Sequence, residues 1–113
     1  MKYEGKNIGI LGLGKSGYWS AKLAKSLNNN VFVSDSNENI NQIFIDDLKM
    51  LGVELEIGDH SNQILKSDII VKSPGIPNNS KILRKINAER IPVISEIEFA
   101  GNLSKSKNIW ITG

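Results

Sequence analysis

Three glycines between an apolar run and a helical pattern constrain this chain more than any other feature. The run Asn7–Leu11 is nearly all apolar, as in a parallel strand covered on both faces, and it leads directly into Gly12-Leu-Gly-Lys-Ser-Gly17. Residues 16–27 then have helical periodicity, which places Gly17, Ser20, Leu23, Ala24 and Leu27 on one buried face. In a strand–G-x-G-x-x-G–helix unit the glycines allow a tight turn, a close phosphate and close helix packing. The free N–H groups at the start of the helix therefore predict an anion-binding site.

Short apolar runs alternate with helical patterns along the rest of the chain. We predict strands at residues 31–34, 53–57, 68–72, 91–94 and 109–111, and helices near 40–51, 61–66, 82–86 and after 95. A polar connector is predicted at 104–108. This alternation indicates the α/β class, as a Rossmann-like open parallel sheet of about five strands with helices on both faces.

Composition excludes several classes of function. With 40% hydrophobic and 23% charged residues the chain is typical of a globular domain and has no membrane span. Fourteen Lys and Arg against twelve Asp and Glu are spread along the chain, which argues against nucleic-acid or membrane partners. The absence of Cys and the single His exclude thiol chemistry and His-rich metal sites. Because glycines and Lys15 interrupt the first apolar run, it is not read as a signal peptide, and a cytoplasmic location is expected.

Two further motifs follow predicted strands. Asp35 lies 18 residues after Gly17, where a dinucleotide-binding fold places the acid that accepts from ribose hydroxyls. The position of Asp35 alone suggests a nicotinamide cofactor. The alternative is that Asp35 caps the next helix. The rigid loop from Ser73 to Pro77 follows the fourth strand and is expected to border the same crevice, although a purely structural turn is equally consistent with it.

The other residues with possible chemistry are interpreted as structural. His60 is read as a turn residue for which the sequence identifies no partner. Glu96 and Glu98 do not share a helix face, and Glu98 belongs to an S-x-x-E capping box, so a catalytic pair is rejected. Packing explains Trp19 and Trp110 better than ligand stacking does.

Five motifs, in order along essentially the whole chain, closely resemble the Mur ligase family. They are Leu11-Gly-Leu-Gly-Lys-Ser-Gly17, Val33-Ser-Asp-Ser36, Val71-Lys-Ser-Pro-Gly-Ile-Pro77, Ser95-Glu-Ile-Glu98 and Ile111-Thr-Gly113. The S-P-G-I-P loop combined with E-I-E and I-T-G is much more specific than the glycine pattern. The first loop departs from the G-I-G-G-x-G-M-S-G form of the alanine-adding members. The resemblance is therefore to the glutamate-adding branch.

This resemblance implies a domain that holds the UDP part of UDP-N-acetylmuramoyl-L-alanine in cytoplasmic peptidoglycan precursor synthesis. Residues 1–94 would be that domain, and residues 95–113 a connecting helix and the first strand of a truncated central ATPase domain. Gly14, Lys15, Ser16 and Gly17 would face the diphosphate. Asp35 and Ser36 would contact the uracil or its ribose, and Ser73, Pro74 and Gly75 would lie beside the same nucleoside. The UDP assignment that the resemblance implies replaces the interpretation of a nicotinamide cofactor.

The implied activity is that of a longer, monomeric enzyme. ATP and Mg²⁺ would serve the amide-forming reaction with D-glutamate through other domains, and Gly113 would be the first residue of the ATP loop. The chain itself would contain no catalytic residue and no metal ligand, and would be inactive alone. The alternative is an NAD-binding domain of a dehydrogenase or of a ligand-sensing regulator, and an interaction module without a ligand is a third reading.

Overall fold

A five-stranded parallel sheet forms the centre of the computed structural model, which describes residues 3–107 and the side chains of residues 3–102. The strands are Asn7–Leu11 (β1), Asn30–Asp35 (β2), Glu54–Ile57 (β3), Ile69–Lys72 (β4) and Val93–Ser95 (β5). Their order in the sheet is β3-β2-β1-β4-β5, and every neighbouring pair is parallel. The predicted α/β fold class is confirmed.

Four α-helices and one short 3₁₀ helix connect the strands. They are Lys15–Ser26 (α1), Gln42–Met50 (α2), Asn62–Lys66 (3₁₀), Lys81–Ala88 (α3) and Glu96–Lys107 (α4). Side-chain oxygens of Asn41, Ser61, Ser80 and Ser95 accept backbone N–H groups at the starts of α2, the 3₁₀ helix, α3 and α4. Among the described helices only α1 begins without a side-chain cap.

The last helix is longer than the sequence suggested. The prediction of a connector at 104–108 is wrong as far as Lys107, because α4 continues to that residue. Its Ser95 cap and the acidic residues Glu96 and Glu98 in its first turn favour a helix, and residues 96–107 contain no proline that would end it earlier. The strand predicted at 109–111 and Gly113 lie outside the described residues.

Both faces of the sheet are covered. On one face, the side chains of β1, β2 and β4 pack against α1, α2 and α4, with Ile10, Val33, Val71 and Phe99 fully or almost fully buried. On the other face, Leu11 and Ile70 pack against the 3₁₀ helix and α3. This two-sided burial is why the central strands are apolar at nearly every position.

The buried face of α1 agrees with the prediction at Gly17, Ser20 and Ala24 but differs at Leu23. Ala21 is fully buried, whereas Leu23, expected to face the core, is 39% exposed. Trp19 is 56% exposed, so the expectation that packing explains it is wrong. The small side chains Ser20, Ala21 and Ala24 are the buried ones in this helix, and they leave the larger residues on its open side.

Candidate functional site

The loops after β1 and β4 lie side by side at the carboxyl edge of the sheet. Strand β2 pairs with one side of β1, and β4 pairs with the other side. The strand order therefore reverses direction at β1. The Ser73 N–H donates to the Leu11 carbonyl at 2.9 Å. A Cβ on Gly12 would lie 2.7 Å from the Ser73 Cβ, and the Gly12 φ of +101° also requires glycine. The crevice beyond such a switch point is where open α/β sheets bind ligands.

The start of α1 presents unbonded N–H groups to this crevice. Gly14 is the N-cap residue, with extended backbone and no side chain to satisfy the first turn. The first intrahelical bond runs from the Tyr18 N–H to the Gly14 carbonyl at 3.0 Å, so the preceding three N–H groups have no helical acceptor. Gly14, Lys15 and Ser16 are exposed, whereas Gly17 is buried. Free donors, the helix dipole and the Lys15 ammonium all favour an anion.

Asp35 holds the glycine loop against the end of β2. Its Oδ2 accepts the Leu13 N–H at 2.7 Å, and its Oδ1 accepts the Asn37 N–H at 2.8 Å. The alternative role as a cap for the next helix is wrong, because Asn41 caps α2. Each carboxylate oxygen retains a second acceptor site, so Asp35 can position the loop and still accept from a ligand.

Ser36 lies exposed on the rim of a cleft of about 300 Å³. The same cleft is lined by His60, by Ile76 from the β4 loop and by Lys81 at the start of α3. The β2 and β4 loops therefore share one concave surface with the loop after β3.

The loop after β4 is closed by a lysine that sequence reasoning overlooked. The Lys72 ammonium donates to the Ser73 carbonyl at 3.2 Å and to the Ile76 carbonyl at 2.8 Å. The Ile76 N–H donates to the Ser73 carbonyl at 3.1 Å. Pro74 and Gly75 are exposed at the tip of this braced loop.

A buried carboxylate touches the glycine loop from the far edge of the sheet. Glu96 is only 7% exposed, and its Oε1 accepts the Ser16 hydroxyl at 2.6 Å. No described group hydrogen-bonds its buried Oε2, which would lie 3.5 Å from a Cβ on Gly17. Because the Ser16 hydroxyl proton is directed at Glu96, Ser16 faces the crevice with its backbone N–H as donor. One feature of the sequence could have indicated this contact. Glu96 directly follows β5, and the carboxyl end of β5 lies at the same edge of the sheet as the β1 loop.

Replacing Glu96 by glutamine is expected to strengthen anion binding at this loop. Glutamine can still accept from Ser16, but it removes a negative charge that repels an incoming phosphate. Removing this repulsion is expected to contribute about 1 kcal/mol, which corresponds to a roughly fivefold lower Kd, measured by calorimetry, for UDP, the ligand that the family resemblance implies. Glu98→Gln, at an exposed position in the same helical turn, is the matched control. A Kd for Glu96→Gln that equals the control value would contradict a repulsive role.

The glycine loop also opens onto a larger groove between α1, α3 and α4. This groove has a volume of about 1220 Å³, and its walls include Trp19, Leu23 and Ile94. Lys15, Ser16 and Pro74 also line it. The exposure of Trp19 and Leu23 is explained by their position on this groove. Within residues 3–107, no helix is long and apolar enough to cross a membrane.

Comparison with known families identifies the family of this domain. Residues 6–95 match the model of the Mur ligase MurD-like N-terminal domain. The chain belongs to this family. The family match covers β1 to β5, and hence the glycine loop, Asp35 and the Ser73 loop together.

The curated relatives of this MurD-like domain are much longer proteins. The chain is 40% identical over 113 residues to the UDP-N-acetylmuramoylalanine–D-glutamate ligase of Bacillus cytotoxicus, covering 98% of this chain and 25% of that enzyme. It is 45% identical over 109 residues to the enzyme of the same name from Bacteroides thetaiotaomicron, covering 96% of this chain and 24% of that enzyme. The chain thus spans about a quarter of the length of these relatives.

Solved structures show that the fold is shared widely. UDP-N-acetylmuramate-alanine ligase MurC from Thermotoga maritima matches with a TM-score of 0.74 and 21% identity, covering 89% of this chain and 23% of that one. L-tryptophan dehydrogenase from Nostoc punctiforme matches with a TM-score of 0.57 and 14% identity, covering 95% of this chain and 33% of that one. Because a ligase and a dehydrogenase have this fold in common, the fold alone does not identify the ligand.

Proposed function

We propose that this chain is the substrate-binding N-terminal domain of a UDP-N-acetylmuramoylalanine–D-glutamate ligase, and that it binds the UDP part of UDP-N-acetylmuramoyl-L-alanine. The observation that carries the proposal is the uncapped start of α1, which opens beside Lys15 at the switch point of a MurD-like domain. Relatives named for this activity support the choice of substrate.

The diphosphate is assigned to the start of α1. The N–H groups of Lys15, Ser16 and Gly17 would donate to phosphate oxygens, and the Lys15 ammonium would add a charge-assisted contact. Gly14 would contribute space, because nothing lies within 4 Å of the position that a Cβ would occupy there. Gly17 is buried and can contribute only through its backbone.

The nucleoside is assigned to the neighbouring loops. Asp35 and Ser36 would contact the uracil or its ribose, with Ser73, Pro74 and Gly75 beside them. The cleft next to Ser36 supports this assignment, since its volume of about 300 Å³ is suited to a group as small as one base. Asp35 would act partly through Leu13, because it holds the glycine loop in place.

The chemical step is assigned to the whole ligase rather than to this chain. ATP would phosphorylate the L-alanyl carboxylate, the D-glutamate amine would attack the acyl phosphate, and the tetrahedral intermediate would release phosphate to leave an amide. Residues 1–94 would form the UDP domain and residues 95–113 the link to an ATPase domain, with Gly113 opening the ATP loop. Mg²⁺ is assigned with ATP to the rest of the ligase, as the family resemblance implies. Among residues 3–107, no group of three His, Cys, Asp or Glu could hold a metal ion. The enzyme is expected to be a cytoplasmic monomer, and this chain alone to be inactive.

Titration with UDP and NAD tests the proposed ligand directly. The backbone amide NMR signals of Gly14 to Gly17 and of Asp35 are expected to shift with UDP and to stay in place with NAD. Millimolar UDP is required, because the rest of the ligase would supply part of the binding energy. Shifts with NAD alone would replace the proposal with the dehydrogenase or sensor reading. No shift with either nucleotide would favour an interaction module.

A further inference from the structure

His60 faces the cleft beside Ser36, and its ring is oriented by a buried serine. Its Nδ1 lies 2.7 Å from the Oγ of Ser34, whose side chain is fully buried in β2. The sequence identified no partner for His60, and the structure supplies one across 26 residues of chain. His60 lines the cleft, and Nδ1 is engaged with buried Ser34, so Nε2 is the ring nitrogen left for a ligand.

The neighbours of Ser34 determine which nitrogen of His60 carries the proton. The Ser34 Oγ also lies 3.0 Å from the Glu56 Oε1 and 3.3 Å from the Asp59 carbonyl oxygen. Burial raises the pKa of the Glu56 carboxyl, but hydrogen bonds from Ser61 and Ser34 outweigh this and lower the pKa below its usual range. Glu56 is therefore an ionised acceptor. The carboxylate and the carbonyl can only accept, so Ser34 donates its single proton to one of them and accepts from His60.

The neutral His60 ring therefore has its hydrogen on Nδ1 and presents Nε2 to the cleft as an acceptor. The cleft walls include Ile76, Pro77 and Ile82, which can cover the faces of a flat ring. Its polar residues, which include Ser36, Ser80 and Lys81, can donate to carbonyl oxygens. An acceptor flanked by donors within apolar walls is complementary to a ring with one N–H between two carbonyl groups.

We propose that His60 selects uracil over cytosine by accepting a hydrogen bond from the uracil N3–H at Nε2. This inference rests on the proposed function, because it places the base of UDP in the cleft beside Ser36. Uracil presents N3–H between the O2 and O4 carbonyls, whereas N3 of cytosine has no hydrogen and would face Nε2 acceptor to acceptor. A site that hydrogen-bonds a ligand N–H discriminates strongly against an analogue that lacks it.

A comparison of UDP with CDP tests this selection, because the two ligands share the same ribose and diphosphate. The unaltered chain is expected to bind UDP about 30-fold more tightly than CDP by calorimetry or NMR titration. His60→Gln, whose amide can either donate or accept, is expected to reduce this preference to about threefold or less. His60→Phe keeps a planar ring without nitrogen, and should weaken UDP binding and remove the preference. The backbone amide spectrum of each variant checks that it is folded.

The ring ¹⁵N shifts of His60 provide an independent readout that does not require a ligand. In the neutral ring we expect a protonated Nδ1 and an unprotonated Nε2, and Ser34→Ala should abolish this bias. A proton on Nε2 would overturn the assignment. UDP binding without preference over CDP, or with a preference unchanged in His60→Gln, would overturn the selection role and leave the proposed function intact. Failure of both nucleotides to bind would overturn both proposals.

Discussion

Replacing Gly17 by alanine is expected to destabilise the domain by about 3 to 5 kcal/mol, a large share of the roughly 5 to 15 kcal/mol that stabilises a domain of this size. A Cβ on Gly17 would overlap the Gly12 carbonyl oxygen and lie 3.1 Å from its carbonyl carbon. Both obstructing atoms belong to the backbone, so no side-chain rotation relieves the overlap. Helix α1 would have to move away from the end of β1, where the proposed anion site lies.

The expected direction of the stability change makes Gly17→Ala a strong test of the close packing between α1 and the end of β1. At an unobstructed helical position, Gly→Ala stabilises by about 1 kcal/mol, because alanine has the higher helix propensity. Urea unfolding followed by circular dichroism measures the difference. Gly101→Ala, at an exposed position of α4 with nothing within 4 Å of the added Cβ, is the matched control and is expected to be stabilising. If Gly17→Ala unfolds at the same urea concentration as this control, the close packing of Gly17 against the Gly12 carbonyl does not position α1.

Replacing Gly14 by valine is expected to weaken UDP binding by about 100-fold while changing the free energy of unfolding by about 1 kcal/mol or less. The Gly14 backbone has φ −88° and ψ −165°, which a β-branched residue adopts readily. Its Cβ would meet no protein atom within 4 Å. The added methyl groups would instead occupy the space beside the free N–H groups of α1, which is where the proposed diphosphate would bind.

The Kd for UDP and the urea midpoint have to be measured on the same preparation, because a loss of binding is informative only in a folded protein. Gly101→Val introduces the same side chain at an open glycine of α4 and should bind UDP as the unaltered chain does. Retention of UDP affinity in Gly14→Val would place the phosphate site elsewhere and contradict the assignment of Gly14 to Gly17.

Much of the fold could be predicted because it depends on local patterns. The bounds of β1, Asn7–Leu11, agree with the prediction, and the other described strands differ from it by one or two residues. Apolar runs between helical patterns require a covered parallel sheet. The start of β5 was less predictable, because Pro92 has no N–H and the strand begins only at Val93.

The candidate site could be predicted only in part. The glycine loop and the Ser73 loop carry recognisable local signatures, and the structure places them together at the switch point. The contact of Glu96 with Ser16 spans 80 residues and carries no local signature. Such a hydrogen bond exists only because parallel strands bring their carboxyl ends to one edge, which the order of strands in the sheet determines.

The sequence by itself determined the α/β class, the glycine turn that opens α1 and the family resemblance, because each depends on residue types at short, regular spacing. Only the tertiary structure decided the partners of Glu96 and His60 and the exposed side of α1. Parallel register places Ser34 opposite Glu56, and this pairing in turn orients His60. Hydrogen-bond partners distant in the chain depend on strand order, register and helix rotation, and these are properties of the packed domain.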